Sequence, residues 1–184
     1  KPDFNKQLGY TCSLAGSLAN AKMVSNMVAS LNTDWLIEIF NTFFKDITGS
    51  DLEKKNILEL FEKNASLADP AKIFYHPFIS PNGERGPFVN VKARAQFLGL
   101  NTTTKFYDLV RALYESLAYA CKDCYSEFGA DLELLRLTGG ASNSSLVRKI
   151  VGSVNQLDTQ VIENSEQGAA GACMVGMIAL NEAN

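Results

Sequence analysis

Apolar residues recur every three or four positions from residue 106 to 128. Phe106, Leu109, Val110, Leu113, Leu117, Cys121, Cys124 and Phe128 share one face, which predicts a long amphipathic helix. A second helical face is marked by Leu146, Val147, Ile150, Val151 and Val154. Between the two lies a short apolar run, Leu134, Leu135 and Leu137, closed by Gly139 and Gly140, so a strand is expected to enter the second helix through glycines. Ser142, Asn143 or Ser144 can cap that helix and leave its first amides facing a ligand. Thr159 to Ile162 predicts a further short strand. Asn164 or Ser165, with Glu166 and Gln167, signals the start of a last helix. The opening of that helix holds Gly168, Ala169, Ala170, Gly171 and Ala172, and close packing of its backbone on a neighbour is their expected role, at a cost in helix propensity.

The first third of the chain has a weaker pattern. Alternating Tyr10, Cys12 and Leu14 predict a strand within Gly9 to Ala19. Met23 to Phe44 predicts one or two helices, with an N-cap near Asn32-Thr33-Asp34 restarting the chain before Trp35, Ile39 and Phe43. Trp35 is expected in the core or at a domain junction. Ser50-Asp51-Leu52-Glu53 has capping-box spacing ahead of a helix bearing Ile57, Leu60 and Phe61, and the lysines and acids around it read as a solvated face. Asp108, Arg111 and Glu115 sit at helical spacing and are expected to pair along one helix.

Composition narrows the class. A chain of 184 residues with 46% hydrophobic and 20% charged positions is a globular domain of ordinary size. A formal charge of −3 gives no reason to expect nucleic acid or an anionic membrane as partner. The apolar stretches are broken well short of bilayer-spanning length, and the N-terminus lacks signal-peptide organisation, so the cytoplasm is the expected location. Four cysteines are too few for a disulfide framework. Cys121 and Cys124 have the spacing of a redox or metal pair, but they fall on the apolar helix face and are expected to be buried there. His76, the sole histidine, reads as a local hydrogen-bonding residue beside Pro77, and no metal site is expected within the chain.

The order of motifs carries a functional signal. It comprises the Pro77 segment, Gly83-Glu84-Arg85 followed by Pro87, the Ala93-Arg94-Ala95 triplet, Phe97-Leu98-Gly99-Leu100, and Asp108-Leu109-Val110-Arg111-Ala112-Leu113-Tyr114-Glu115. The turn Thr138-Gly139-Gly140-Ala141-Ser142 and Glu166-Gln167-Gly168-Ala169-Ala170-Gly171-Ala172 follow. From about Phe74 to Leu180 this series resembles the C-terminal domain of the FGGY family of carbohydrate kinases. Upstream, mainly Asp34-Trp35-Leu36 agrees. The GERGP loop and the EQGAAGA helix are most similar to the erythritol-type polyol kinases of that family.

The resemblance implies an α/β domain of the actin-like, ribonuclease H-like ATPase fold, with a mixed central sheet flanked by helices. Residues 1–184 would form the C-terminal, nucleotide-binding domain of a two-domain sugar kinase whose N-terminal, sugar-binding domain lies outside this chain. It further implies transfer of the γ-phosphoryl of ATP, with Mg²⁺, to a hydroxyl of a small sugar or polyol. Gly139, Gly140 and Ala141, with Asn143 or Ser144, would contact the adenosine part. Thr103 aligns with a position near the nucleotide where many relatives carry glycine. The resemblance places the catalytic base in the missing domain, leaving none in this chain, and gives Glu84 and Arg85 a structural or interdomain ion-pair role. Homo-oligomer formation is left open. An actin-like or chaperone-like nucleotide module without metabolite kinase activity is the alternative expectation, and a non-catalytic interaction domain is a third.

Overall fold

The computed structural model describes residues 4–5, 9–13, 20–26, 28, 30–127, 132–162 and 166–180. Three short strands, β1 (Phe4–Asn5), β2 (Gly9–Ser13) and β3 (Asn20–Met23), form an antiparallel sheet in that order. Helices α1 (Leu31–Thr48) and α2 (Lys54–Ala65) follow, then the antiparallel pair β4 (Phe74–His76) and β5 (Gln96–Leu98). Helix α3 (Phe106–Ser126) leads to β6 (Leu134–Leu137), a 3-10 turn (Gly140–Asn143), α4 (Ser145–Asn155), β7 (Asp158–Val161) and α5 (Gln167–Ala179). Strands β6 and β7 are parallel, with Leu135 opposite Thr159, so the stretch from β6 to β7 is a βαβ unit.

The core gathers around α3, which contacts α2, β4 and α4. Val110 and Leu113 of α3, Ile57 and Phe61 of α2, and Ile73 before β4 are almost wholly removed from solvent. Leu146, Val147, Ile150 and Val151 of α4 join the same cluster. Burying each large apolar side chain contributes about 1.5–3 kcal/mol. The expected face of α3 packs on this core from Phe106 to Leu117, but the helix is buried well beyond that face, at Ala112, Tyr114, Ser116 and Ala118, and Phe128 lies outside the described residues. Cys121 is half-buried with its thiol pushed up to about 11, first by burial and then by Cys124. Cys124 is buried and its thiol is also raised, chiefly by burial. Thiols held protonated in this way are packing groups rather than redox nucleophiles. His76 Nδ1 lies 2.8 Å from Gln96 Nε2, the local role its sequence setting suggests.

Several boundaries differ from the sequence expectation. Met23 ends a strand, and one continuous helix runs through Asn32-Thr33-Asp34. Asn32 does not cap it. Its side chain is buried, where Nδ2 donates to the Pro77 carbonyl at 3.0 Å and Oδ1 accepts from the Tyr75 hydroxyl at 2.9 Å. A buried amide with both functions satisfied ties α1 to β4. Trp35 packs partly against the core, while Ile39, Phe43 and Ile47 are exposed.

The capping box at Ser50 does not form: Glu53 is the N-cap without a side-chain bond, and Asp51 instead pairs with Lys45 at 2.7 Å. Asp108 turns away from the expected helical pairing. Its carboxylate caps the Lys105 amide at 2.8 Å and meets Lys72 at 2.7 Å, whereas Arg111 and Glu115 pair at 2.7 Å as the spacing suggests. Glu115 also accepts from the Ala71 amide at 3.0 Å, so two α3 carboxylates fasten the turn before β4.

The GER loop is likewise structural. Glu84 is buried, and its Oε1 accepts from the amides of Arg85 and Gly86 at 2.7 and 3.1 Å. Arg85 donates to the Ser25 hydroxyl at 3.1 Å. Gly83 has φ +73°, and an added Cβ would lie 2.1 Å from the Asn90 carbonyl oxygen, so only glycine fits this turn. Helix α5 is a further departure. Met174, Val175 and Met177 are exposed, and a Cβ added at Gly168, Gly171 or Gly176 meets nothing within 4 Å, so the small residues make no close packing among the described residues. Asn164 and Ser165, its expected caps, lie outside those residues, and Glu166 stands at the N-cap with no side-chain hydrogen bond capping the helix.

Asp108 supports a pH-dependent stability prediction. The Lys105 amide first, and the Lys72 ammonium next, hold its carboxyl below the usual range. A carboxyl depressed in the folded state stabilises fully above its unfolded value, and that stabilisation is lost as pH falls through the folded value. Asp108→Asn is expected to cost about 2 kcal/mol at neutral pH through the lost cap and ion pair. The difference from wild type should shrink below about pH 4. Urea unfolding at several pH values measures it, and a difference independent of pH would contradict this assignment.

Candidate functional site

The candidate site is the turn between β6 and α4. Strand β6 ends at Leu137, and Gly139 then takes φ +81°, a conformation open to glycine that reverses the chain into the 3-10 turn. Thr138, Gly139, Gly140 and Ala141 are exposed, and a Cβ on either glycine would meet nothing within 4 Å. The turn therefore offers bare backbone to whatever approaches.

Its inner side is firmly held. Ser142 is buried, its hydroxyl donating to the Gly139 carbonyl at 2.7 Å and its amide to the same oxygen at 3.1 Å. Arg148, one turn into α4, donates to the Ser142 carbonyl at 2.7 Å. Of the three candidate caps, Ser144 takes the role: its Oγ accepts from the Val147 amide at 3.1 Å. Asn143 is exposed beside it.

The remaining first-turn amides are not free for a ligand, contrary to the sequence expectation. Glu62, from α2, brings Oε1 to the Ser145 amide at 2.8 Å, the Ser145 hydroxyl at 2.8 Å and the Leu146 amide at 3.2 Å. Burial alone would raise this carboxyl. Hydrogen bonds from Ser145, Leu146 and Ser144 together outweigh burial and hold it below its ordinary value. An anionic group already complements the positive end of α4, so a phosphate gains little there. The exposed turn suits an uncharged part of a ligand. Tyr114 of α3 lies near enough for the Glu62 charge to add to burial in pushing its phenol up to about 12.

Thr103 sits in a separate turn ahead of α3. Its amide and hydroxyl both donate to Asn101 Oδ1, at 2.8 and 2.7 Å. Among the described residues no hydrogen bond or ion pair joins this turn to the glycine turn. Helix α2 links them indirectly. Phe61 packs on Phe106, the first residue of α3, with ring centroids 5.6 Å apart, and the next residue is Glu62. Thus Gly139, Gly140, Ala141, Asn143 and Ser144 lie on one continuous turn, with Thr103 outside it. Glu62 and Arg148 were not singled out by sequence. Glu62 resembles any other acid in a charged helix, and its partner lies 83 residues away.

A cavity of about 320 Å³ opens elsewhere, lined by residues that include Phe74, Phe78, Phe88 and Tyr119, none from either turn. Among the described residues no group of three or more His, Cys, Asp or Glu side chains could hold a metal ion.

Comparison with known proteins decides the family. The model of the FGGY family of carbohydrate kinases, C-terminal domain, matches residues 9–180. This chain belongs to that family. It is 35% identical over 176 residues to the erythritol kinase of Brucella abortus, covering 94% of this chain and 33% of that protein. It is 28% identical over 130 residues to the glycerol kinase of Enterococcus casseliflavus, covering 67% of this chain and 26% of the relative. The FGGY domain thus spans about a third or less of the length of these curated relatives. Among solved structures, xylulose kinase from Rhodospirillum rubrum superposes with a TM-score of 0.66 at 20% identity, covering 93% of this chain and 30% of that one. Glycerol kinase from Plasmodium falciparum with ADP gives 0.64 at 17% identity, covering 85% and 29%. These structures show the fold, that of the actin-like ATPase sugar kinases.

Proposed function

We propose that this chain is the nucleotide-facing half of an ATP-dependent kinase that phosphorylates a hydroxyl of a small polyol, with erythritol as the first candidate. The observation that carries the reading is the 35% identity to an erythritol kinase across nearly the whole chain, within a family match spanning residues 9–180. Residues 1–184 serve as the C-terminal, nucleotide-binding domain, and a separate sugar-binding domain supplies the polyol contacts and the base that takes the alcohol proton. Mg²⁺ enters as part of the ATP-Mg substrate and neutralises charge on the phosphate oxygens.

Within this chain the work is positioning. The exposed backbone of Gly139, Gly140 and Ala141, with Asn143 or Ser144 at its edge, supports the adenosine part, and the Thr103 turn lies on the nucleotide side. Closure of the two domains excludes water and limits wasteful hydrolysis. No helix among the described residues is long and apolar enough to cross a membrane, and a cytoplasmic location fits a metabolic kinase. The test is an acceptor screen on the complete protein, reading ADP release with erythritol, glycerol, gluconate and xylulose. Stimulation by erythritol is expected, and stimulation by none of them would refute the reading.

A further inference from the structure

The contact between Glu62 and the start of α4 joins two elements far apart in sequence and falls directly behind the exposed glycine turn. One carboxylate oxygen receives two amides and a hydroxyl, at 2.8, 3.2 and 2.8 Å. On the preceding residue, the Phe61 ring packs against both Phe40 and Phe106. A rigid helix thus fixes the carboxylate, and the carboxylate fixes the first turn of α4. Arg148 and Ser142 pass that constraint to the Gly139–Ser142 backbone through their 2.7 Å hydrogen bonds.

We propose that Glu62 is a positioning residue for nucleotide binding: by closing the N-terminus of α4 it holds the glycine turn in the conformation that receives the adenosine part of ATP. The inference rests on the reading of that turn as the nucleotide platform. Glu62 itself touches no substrate. It works through Ser145 and Leu146, and its charge also discourages the polyphosphate from settling on the wrong helix end. The turn is then preorganised, so ordering it consumes none of the ATP binding energy.

The test uses the complete kinase, measuring KM for ATP and for the polyol together with thermal stability. Losing charge-assisted hydrogen bonds to a turn on which a ligand rests is worth roughly a tenfold weakening. Glu62→Ala is therefore expected to raise KM for ATP roughly tenfold with KM for the polyol unchanged. Glu62→Gln keeps an acceptor oxygen without the charge and should fall between, at roughly threefold. Gly140→Val is run beside them. If Gly140→Val raises KM for ATP and folded Glu62 variants do not, Glu62 has no positioning role and the platform stands. If none of the variants moves KM for ATP, the platform and the inference both fall. An equal rise in both KM values, or a loss confined to kcat, marks general damage and also overturns the inference. Should Glu62→Ala fail to fold, the Gln variant decides, and an unchanged KM for ATP there counts against it.

Discussion

Phe61→Ala is expected to destabilise the chain by about 3–5 kcal/mol, enough to remove much of the stability of an ordinary domain. Phe61 is fully buried, with Phe40 and Phe106 at centroid distances of 5.5 and 5.6 Å, and these three rings join α1, α2 and α3. Alanine would leave a cavity where α2 bridges α1 and α3, so little collapse can refill it. The loss also reaches the site, because Phe61 precedes Glu62 and borders the start of α3. Urea unfolding followed by circular dichroism measures the change. A shift under about 1 kcal/mol would mean that the ring cluster does not anchor these helices.

Gly140→Val is expected to act in the opposite manner, with a large effect on nucleotide binding and a small one on folding. An added Cβ at Gly140 meets nothing within 4 Å, and Gly140 is not one of the positive-φ glycines, so the substitution is locally tolerated. The same open space is where the adenosine part is proposed to lie. A branched side chain there should raise KM for ATP at least about tenfold, equivalent to about 1.4 kcal/mol of lost binding. KM for the polyol and the melting temperature should change little. Gly139 would be a poorer probe, since its φ of +81° makes any side chain strained and would mix folding with binding. An unchanged KM for ATP in a folded Gly140→Val kinase would remove the glycine turn from the nucleotide site.

What the sequence shows clearly is what local periodicity controls. The apolar face of α3, the strand that ends at Gly139 and the helix capped by Ser144 all follow from short-range pattern, and the structure has them within a residue or two. Long-range polar contacts were not legible. Asn32 has the composition of an N-cap, but a buried carbonyl and a buried phenol outcompete the local amide for its side chain. Asp108 fits an i,i+3 pair with Arg111, yet Lys72 and the Lys105 amide claim it. Glu62 is the clearest case, because only the packing of α2 beside α4 gives it a function.

Helix α5 shows another limit. Its small and apolar residues predict close contact, but among the described residues nothing packs on its glycines, and Met174, Val175 and Met177 are exposed. Apolar all round, such a helix is ordinarily a buried one. The candidate site divides in the same way. Its backbone shape was readable from the glycines and the cap, whereas the engagement of the α4 amides by Glu62 changes the kind of group the turn can receive.

The proposed role of this FGGY domain is phosphate transfer to a polyol rather than ATP-driven conformational change alone. Phosphorus-31 NMR of the complete protein with ATP, Mg²⁺ and erythritol distinguishes the two. A new sugar-alcohol phosphate resonance is expected to grow in step with ADP, with little inorganic phosphate. ADP accompanied by an equal amount of inorganic phosphate, with no phosphate ester from erythritol or, in a parallel sample, from glycerol, would overturn that role.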